Sequence, residues 1–147
     1  MCLVIVDVNV APRVLLRSDD AEYKLLHGAL FGRRRPNPIL VHGGYLTQEY
    51  AANRSVLRMV YTLDRAGRVV VVPDARVAAA AGAVAAEGTA ISNDTHLLGL
   101  ARESGARVLC SEDRDLRADF KNKQLVDGPR GKVYSKTGHG KVLAHNC

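Results

Sequence analysis

Residues 92–116, SNDTHLLGLARESGARVLCSEDRDL, read as a helix running into a strand, with an acid at the helix start and more acids just past the strand. The helical pattern over 94–104 stops at Gly105, a residue suited to closing a helix. ARVLC (106–110) then follows as a short apolar strand. A helix feeding directly into a buried strand is one unit of a parallel sheet covered by helices.

The rest of the chain repeats that unit. CLVIV (2–6) and RVVVV (68–72) are continuous β-branched runs, as expected of strands covered on both faces, and PNPILVHGG (36–44) contains a third strand bounded by Pro and Gly. Between them lie NVAPRVLL and DAEYKLLHGALFG, both helical in pattern, with Asp19 or Asp20 placed to cap the second. A single long amphipathic helix is expected over 45–67, closed by Gly67, and another over 73–88 with Asp74 as its N-cap. DRDLRADFK predicts a short helix, and GKVYS (131–135) a further strand. The alternation predicts an α/β fold, a three-layer α/β/α sandwich around a central parallel β-sheet.

The 147 residues suit one domain with a single core. Residues 1–122 carry the α/β pattern. Residues 123–147 form a basic, Gly-rich extension that packs on the domain or trails from it. From Arg117 to the end, seven Lys and Arg face Asp119 and Asp127, and the whole chain has a formal charge of +6. Such a balance favours polyanionic partners. The three cysteines (Cys2, Cys110, Cys147) show no CxxC spacing, which points to a reducing compartment without a disulfide framework. The apolar N-terminus lacks a basic flank and is interrupted by Asp7, so neither a signal peptide nor a membrane span is expected, and the cytoplasm is the expected location. His139, His145 and Cys147 with Cys2 match no structural zinc spacing.

In open α/β sheets ligands bind beyond the carboxyl ends of the strands. Asp7 directly follows the first strand, and Asp113 follows ARVLC by three residues with Ser111 between. At about 100° per residue, Asp94 shares a face with Leu97, Leu98 and Ala101, while His96 points away. The same count places Glu49 within the stripe formed by Ala52, Val56, Val60 and Leu63. Carboxylates on core-facing stripes are costly unless compensated. Singly, each acid also reads as a helix cap or turn former. Together, at one edge of one sheet, they suit a divalent cation, because Mg²⁺ and Mn²⁺ take hard oxygen ligands.

VIVDVNV with Asp7 and Asn9, LTQEY with Glu49, SNDTHLLGLARESGARVL with Asp94, and CSEDRDL with Ser111 and Asp113 together resemble the PIN-domain ribonucleases, over about residues 2–120. The resemblance implies an acidic quartet of Asp7, Glu49, Asp94 and Asp113 that is both catalytic and metal-binding, supported by Asn9 and Ser111. Asp115 competes with Asp113 for the fourth place. The implied activity is Mg²⁺- or Mn²⁺-dependent endonucleolytic cleavage of RNA, as in the toxins of toxin–antitoxin pairs. An antitoxin protein and a second copy of the chain in a homodimer are the candidate protein partners. Arg33, Arg34, Arg35, Lys121, Lys123, Arg130 and Lys132 are candidate contacts to the RNA backbone. Aromatic residues make up 5% of the chain, too few to predict a base-stacking platform. The competing reading is a non-catalytic RNA-binding or scaffold domain on the same fold. A nuclease acting on DNA is a third.

Overall fold

The computed structural model describes residues 2–33 and 36–146. Five parallel strands form its sheet: β1 (Leu3–Val6), β2 (Ile39–Gly43), β3 (Val69–Val72), β4 (Val108–Cys110) and β5 (Lys132–Val133), in the order β3-β2-β1-β4-β5. The helices are α1 (Ala11–Leu15), α2 (Lys24–Phe31), α3 (Tyr45–Ala51), α4 (Arg54–Arg65), α5 (Asp74–Glu87), α6 (Thr95–Ser104), α7 (Arg114–Lys121) and α8 (Gly140–Asn146), with a 3₁₀ turn at Thr137–His139.

Strand order decides where a crevice can open. From β1 the chain steps outward through β2 to β3, then returns across the sheet to β4 and β5. Parallel crossovers are right-handed, so α1–α4 cover one face and α5–α7 the other. Direction reverses between β1 and β4, and the loops leaving those strands diverge there, which makes this the switch point of the sheet. The central strands are apolar because both faces are covered: Val4, Ile5, Val6, Leu40, Val41, Val108 and Leu109 are all buried. β3 lies at an edge, and Val70 and Val71 are correspondingly exposed.

Three sequence-based expectations need correction. The helix expected over 45–67 breaks into α3 and α4, because the Asn53 side chain accepts from the backbone amides of Ser55 and Val56 and starts α4 afresh. Asp74 does not cap its own helix. Pro73 holds that place, and Asp74 Oδ1 instead accepts from the Gly44 amide at 2.9 Å, tying α5 to the turn after β2. Cys2 is disulfide-bonded, against the expectation of a reducing compartment without a disulfide framework, while Cys110 is free and buried. Cys147, like Arg34 and Arg35, lies outside the described residues.

Asp20 closes the turn before α2, accepting from the amides of Glu22 and Tyr23, and it is ion-paired to Arg13 at 2.9 Å. The segment after residue 122 supplies β5, and its Leu125, Val126, Tyr134 and Leu143 join the same hydrophobic core as the central strands. α5 and α6 pack closely because Gly99 lacks a side chain: a Cβ there would stand 2.5 Å from the Ala81 nitrogen. Among the described residues no helix is long and apolar enough to cross a membrane.

Candidate active site

Asp7 leaves the end of β1 at the switch point. Its backbone amide donates to the Cys110 carbonyl at 2.8 Å, so the carboxyl ends of β1 and β4 are fixed against each other. The Asp7 side chain is 6% exposed. Burial raises its pKa, and the Ser111 hydroxyl, donating to Oδ2 at 2.6 Å, partly offsets that cost. Ser111 itself is wholly buried, and its oxygen also accepts from the Asp113 amide at 3.0 Å. One hydroxyl thus orders the first acid and the turn carrying another. Asn9 extends the arrangement, its Oδ1 accepting from the Glu112 amide at 3.2 Å. Behind β1, the buried Tyr50 hydroxyl donates to the Val6 carbonyl.

Asp94 occupies the N-cap position of α6, yet its carboxylate makes no cap hydrogen bond. It faces Asp113, and its pKa rises from 3.8 to about 6 through burial, then through Asp113 and the nearby Asp7 charge. Three acids therefore approach one another at the switch point, one at the end of a strand and two at the starts of helices. The expected neighbours Leu97, Leu98 and Ala101 are all buried. A buried acid that sequence reasoning missed holds the preceding loop. Asp119, on α7 and 3% exposed, accepts from the amides of Ile91 and Ser92, and Ser92 Oγ accepts from the Asp94 amide at 3.0 Å. Its only sequence signal was an acid on the buried face of an amphipathic helix.

Glu49 stands at the rim of this group. The stripe that placed it beside Val56, Val60 and Leu63 does not exist as one helical face, since the break at Asn53 intervenes and Ala52 is exposed. Glu49 is half-buried for another reason: its Oε1 lies 3.3 Å from His96 Nε2 on α6. His96 was expected to point away from Asp94. Asp94 has non-helical backbone angles, however, so a phase counted from it does not carry into α6. The imidazole instead lies near enough to Asp7 and Asp94 to offset a small part of their raised pKa, linking Glu49 to the aspartates.

Asp113 and Asp115 separate clearly. Asp113 faces Asp94 while its Oδ1 caps α7 by accepting from the Leu116 amide at 3.0 Å. Asp115 is exposed in the first turn of α7, without a contact to the acids among the described residues.

The candidate RNA-contacting cations are not beside the acids. Lys132 pairs with Val108, the first residue of β4, whereas Asp113 lies past that strand's other end. α7 then carries the chain about 12 Å away from Asp113 before Lys121 and Lys123, at ~1.5 Å per residue. Arg130 Nε donates to the Lys121 carbonyl at 2.6 Å, in the same region. Arg33 sits between α2 and the start of β2, also on the strand-start edge.

Among the described residues, no three His, Cys, Asp or Glu side chains are grouped tightly enough to hold an ion as they stand. The donor chemistry nonetheless suits a hard divalent cation. Asp7, Asp94, Asp113 and Glu49 offer only oxygen ligands, and Asp94 is raised by burial first and then by its acidic neighbours, both of which a cation would offset. Comparison of the sequence with protein-family models and with curated proteins gives no match, so the family resemblance rests on the quoted motifs alone.

Proposed function

We propose that the chain is a divalent-metal-dependent endoribonuclease of the PIN-domain type, hydrolysing phosphodiester bonds in RNA at the crevice between β1 and β4. The observation that carries this reading is Asp94. An acid retained only to start a helix would be ionised and bonded to the first amides. Asp94 makes no such bond and is pushed to about 6 among other acids. An uncapped carboxylate raised by burial and by neighbouring acids, at the switch point of a parallel sheet, supports a functional role.

Asp7 and Asp94 are the principal candidates to hold Mg²⁺ or Mn²⁺, with Asp113 and Glu49 completing the set. When bound, such an ion supplies a water of lowered pKa and neutralises charge on the phosphate. Ser111 fixes the Asp7 carboxylate by donating to its Oδ2. Asp119, through Ser92, fixes the backbone at Asp94. The Glu49–His96 pair stands where it can accept or return a proton during attack and departure. Cytoplasmic location, an antitoxin partner and a homodimer belong to this proposal.

The test is cleavage of single-stranded and structured RNA with Mg²⁺ or Mn²⁺, comparing the native chain with Asp7→Asn and Asp94→Asn. Loss of cleavage in both variants supports the reading, and undiminished cleavage overturns it. One observation favours a second reading, a non-catalytic RNA-binding domain: the exposed cations at Arg33, Lys121, Lys123 and Lys132 lie on the strand-start edge, away from the acids. That reading predicts salt-sensitive binding that survives both substitutions and no metal-dependent product.

A further inference from the structure

Beside the acids, on the far side of His96, lies a groove of about 270 Å³ whose walls include Tyr45, Gln48, Asp74, Ala78, Ala81 and His96. Tyr45, like Tyr61, is 57% exposed, and it meets the His96 imidazole edge-on at 5.3 Å. His96, which lines the groove, also lies 3.3 Å from Glu49 Oε1, and so joins the groove to the rim of the acids.

The groove is built into the fold. Gly44 has a φ of +59°, and a Cβ there would come within 2.9 Å of Val77, so α5 approaches the start of α3 only because residue 44 is glycine. Its amide donates to Asp74 Oδ1, which sets the Asp74 carboxylate at the groove wall. Ala78 and Ala81 of α5, which also line the groove, are small and leave room beside the Tyr45 ring.

We propose that this groove binds one guanine base of a single-stranded RNA, next to the phosphate presented to the acids. The assignment rests on the ribonuclease reading for the position of that phosphate, and on the groove alone for the base. A planar heterocycle stacks on an exposed tyrosine whatever its sequence. Choice among bases comes from the edge it shows to Asp74. A carboxylate only accepts hydrogen bonds. Guanine offers two adjacent donors, N1–H and N2–H, which match the two carboxylate oxygens; Oδ1 keeps a lone pair after accepting from Gly44. Adenine, cytosine and uracil each place an acceptor against the carboxylate, and that juxtaposition is repulsive. Gln48, able both to donate and to accept, meets the remaining edge.

The test is fluorescence anisotropy with labelled heptauridylate RNA and its variants carrying one central G, A or C, in EDTA so that no strand is cut. The expected result is about tenfold tighter binding of the G-containing strand. Asp74→Asn keeps an acceptor for the Gly44 amide and brings the four affinities together. Tyr45→Ala weakens all four about tenfold, and Tyr45→Phe restores them; circular dichroism verifies that each variant is folded. Equal affinities in the native chain, absence of binding, or a G preference untouched in folded Asp74→Asn overturns the proposal. The ribonuclease reading fails separately, on metal-dependent cleavage: a G preference without cleavage leaves the groove assigned and the acids unexplained.

Discussion

The Ser111 hydroxyl donates to Asp7 Oδ2 at 2.6 Å, across the point where β4 and β1 part. Both groups are buried, so this bond compensates a carboxylate that has little water to turn to. Ser111→Ala removes the donor and also the acceptor of the Asp113 amide. A hydrogen bond to a charged group contributes about 1.5–3 kcal/mol, so the expected loss of stability falls in that range, read from urea unfolding at neutral pH. The Asp7 carboxyl, already raised, rises further. A variant as stable as the native chain would show that Asp7 is solvated in a way this geometry does not provide.

Asp94→Asn is expected to stabilise the protein at pH 7 while removing cleavage. The sign follows from linkage. The folded chain holds the Asp94 proton more tightly than the unfolded chain, with a pKa of about 6 against 3.8. The favourable contribution is therefore complete below about pH 3.8 and is lost as pH rises to about 6. Asp20 and Glu87, held low by Arg13 and Arg102, act in the opposite direction. The measurement is thus the difference in Tm between Asp94→Asn and the native chain across pH 4 to 8. The gap should open in favour of the variant as pH rises through the 4-to-6 window, amounting to a few degrees at about 2–4 °C per kcal/mol.

A divalent cation should reverse the same penalty. With Mn²⁺ or Mg²⁺ at about a hundredfold excess over Kd, the native chain gains about 2.7 kcal/mol at pH 7.5. The gain shrinks near pH 5, where Asp94 is protonated, and EDTA removes it. Thermal shift with native and Asp94→Asn protein checks this, and an equal shift in both would place any bound ion elsewhere.

The sheet was legible because parallel strands are continuous β-branched runs, and CLVIV, RVVVV and ARVLC leave little alternative, although RVVVV, expected to be covered on both faces, is an edge strand with Val70 and Val71 exposed. β5 was less so: it is two residues long, at an edge, with Lys132 exposed. The crevice acids were legible from their places after strands and before helices. Their supports were not. Helical phase failed for Glu49, because Asn53 restarts the helix, and for His96, because Asp94 is itself not helical, while the burial of Leu97, Leu98 and Ala101 belongs to a run buried from 97 to 101. Asp74 illustrates the limit of local rules. Its position before an Ala-rich helix suggested a cap, but its partner, the Gly44 amide, is 30 residues away. Such pairings depend on the tertiary approach of two elements, which no local spacing encodes.

Asp119→Ala is the sharpest test of how Asp94 is held. The Asp119 carboxylate accepts from the Ile91 amide at 3.1 Å and the Ser92 amide at 2.8 Å, and Ser92 receives the Asp94 amide. Removing it leaves the Ser92 amide, a buried donor, without its partner and frees the loop between α5 and α6. The expected cost is about 2–4 kcal/mol, in line with losing charge-assisted bonds in a buried setting. Asp119→Asn retains one acceptor oxygen and should recover part of that. Because Asp119 touches none of the crevice carboxyls directly, its effect on cleavage should run through geometry: kcat falls in Asp119→Ala while RNA binding measured in EDTA is retained. Hydrogen exchange then provides the independent readout, with the Ile91 and Ser92 amides losing protection in Asp119→Ala and keeping most of it in Asp119→Asn. Unchanged protection in the alanine variant would show that the loop is held by other contacts.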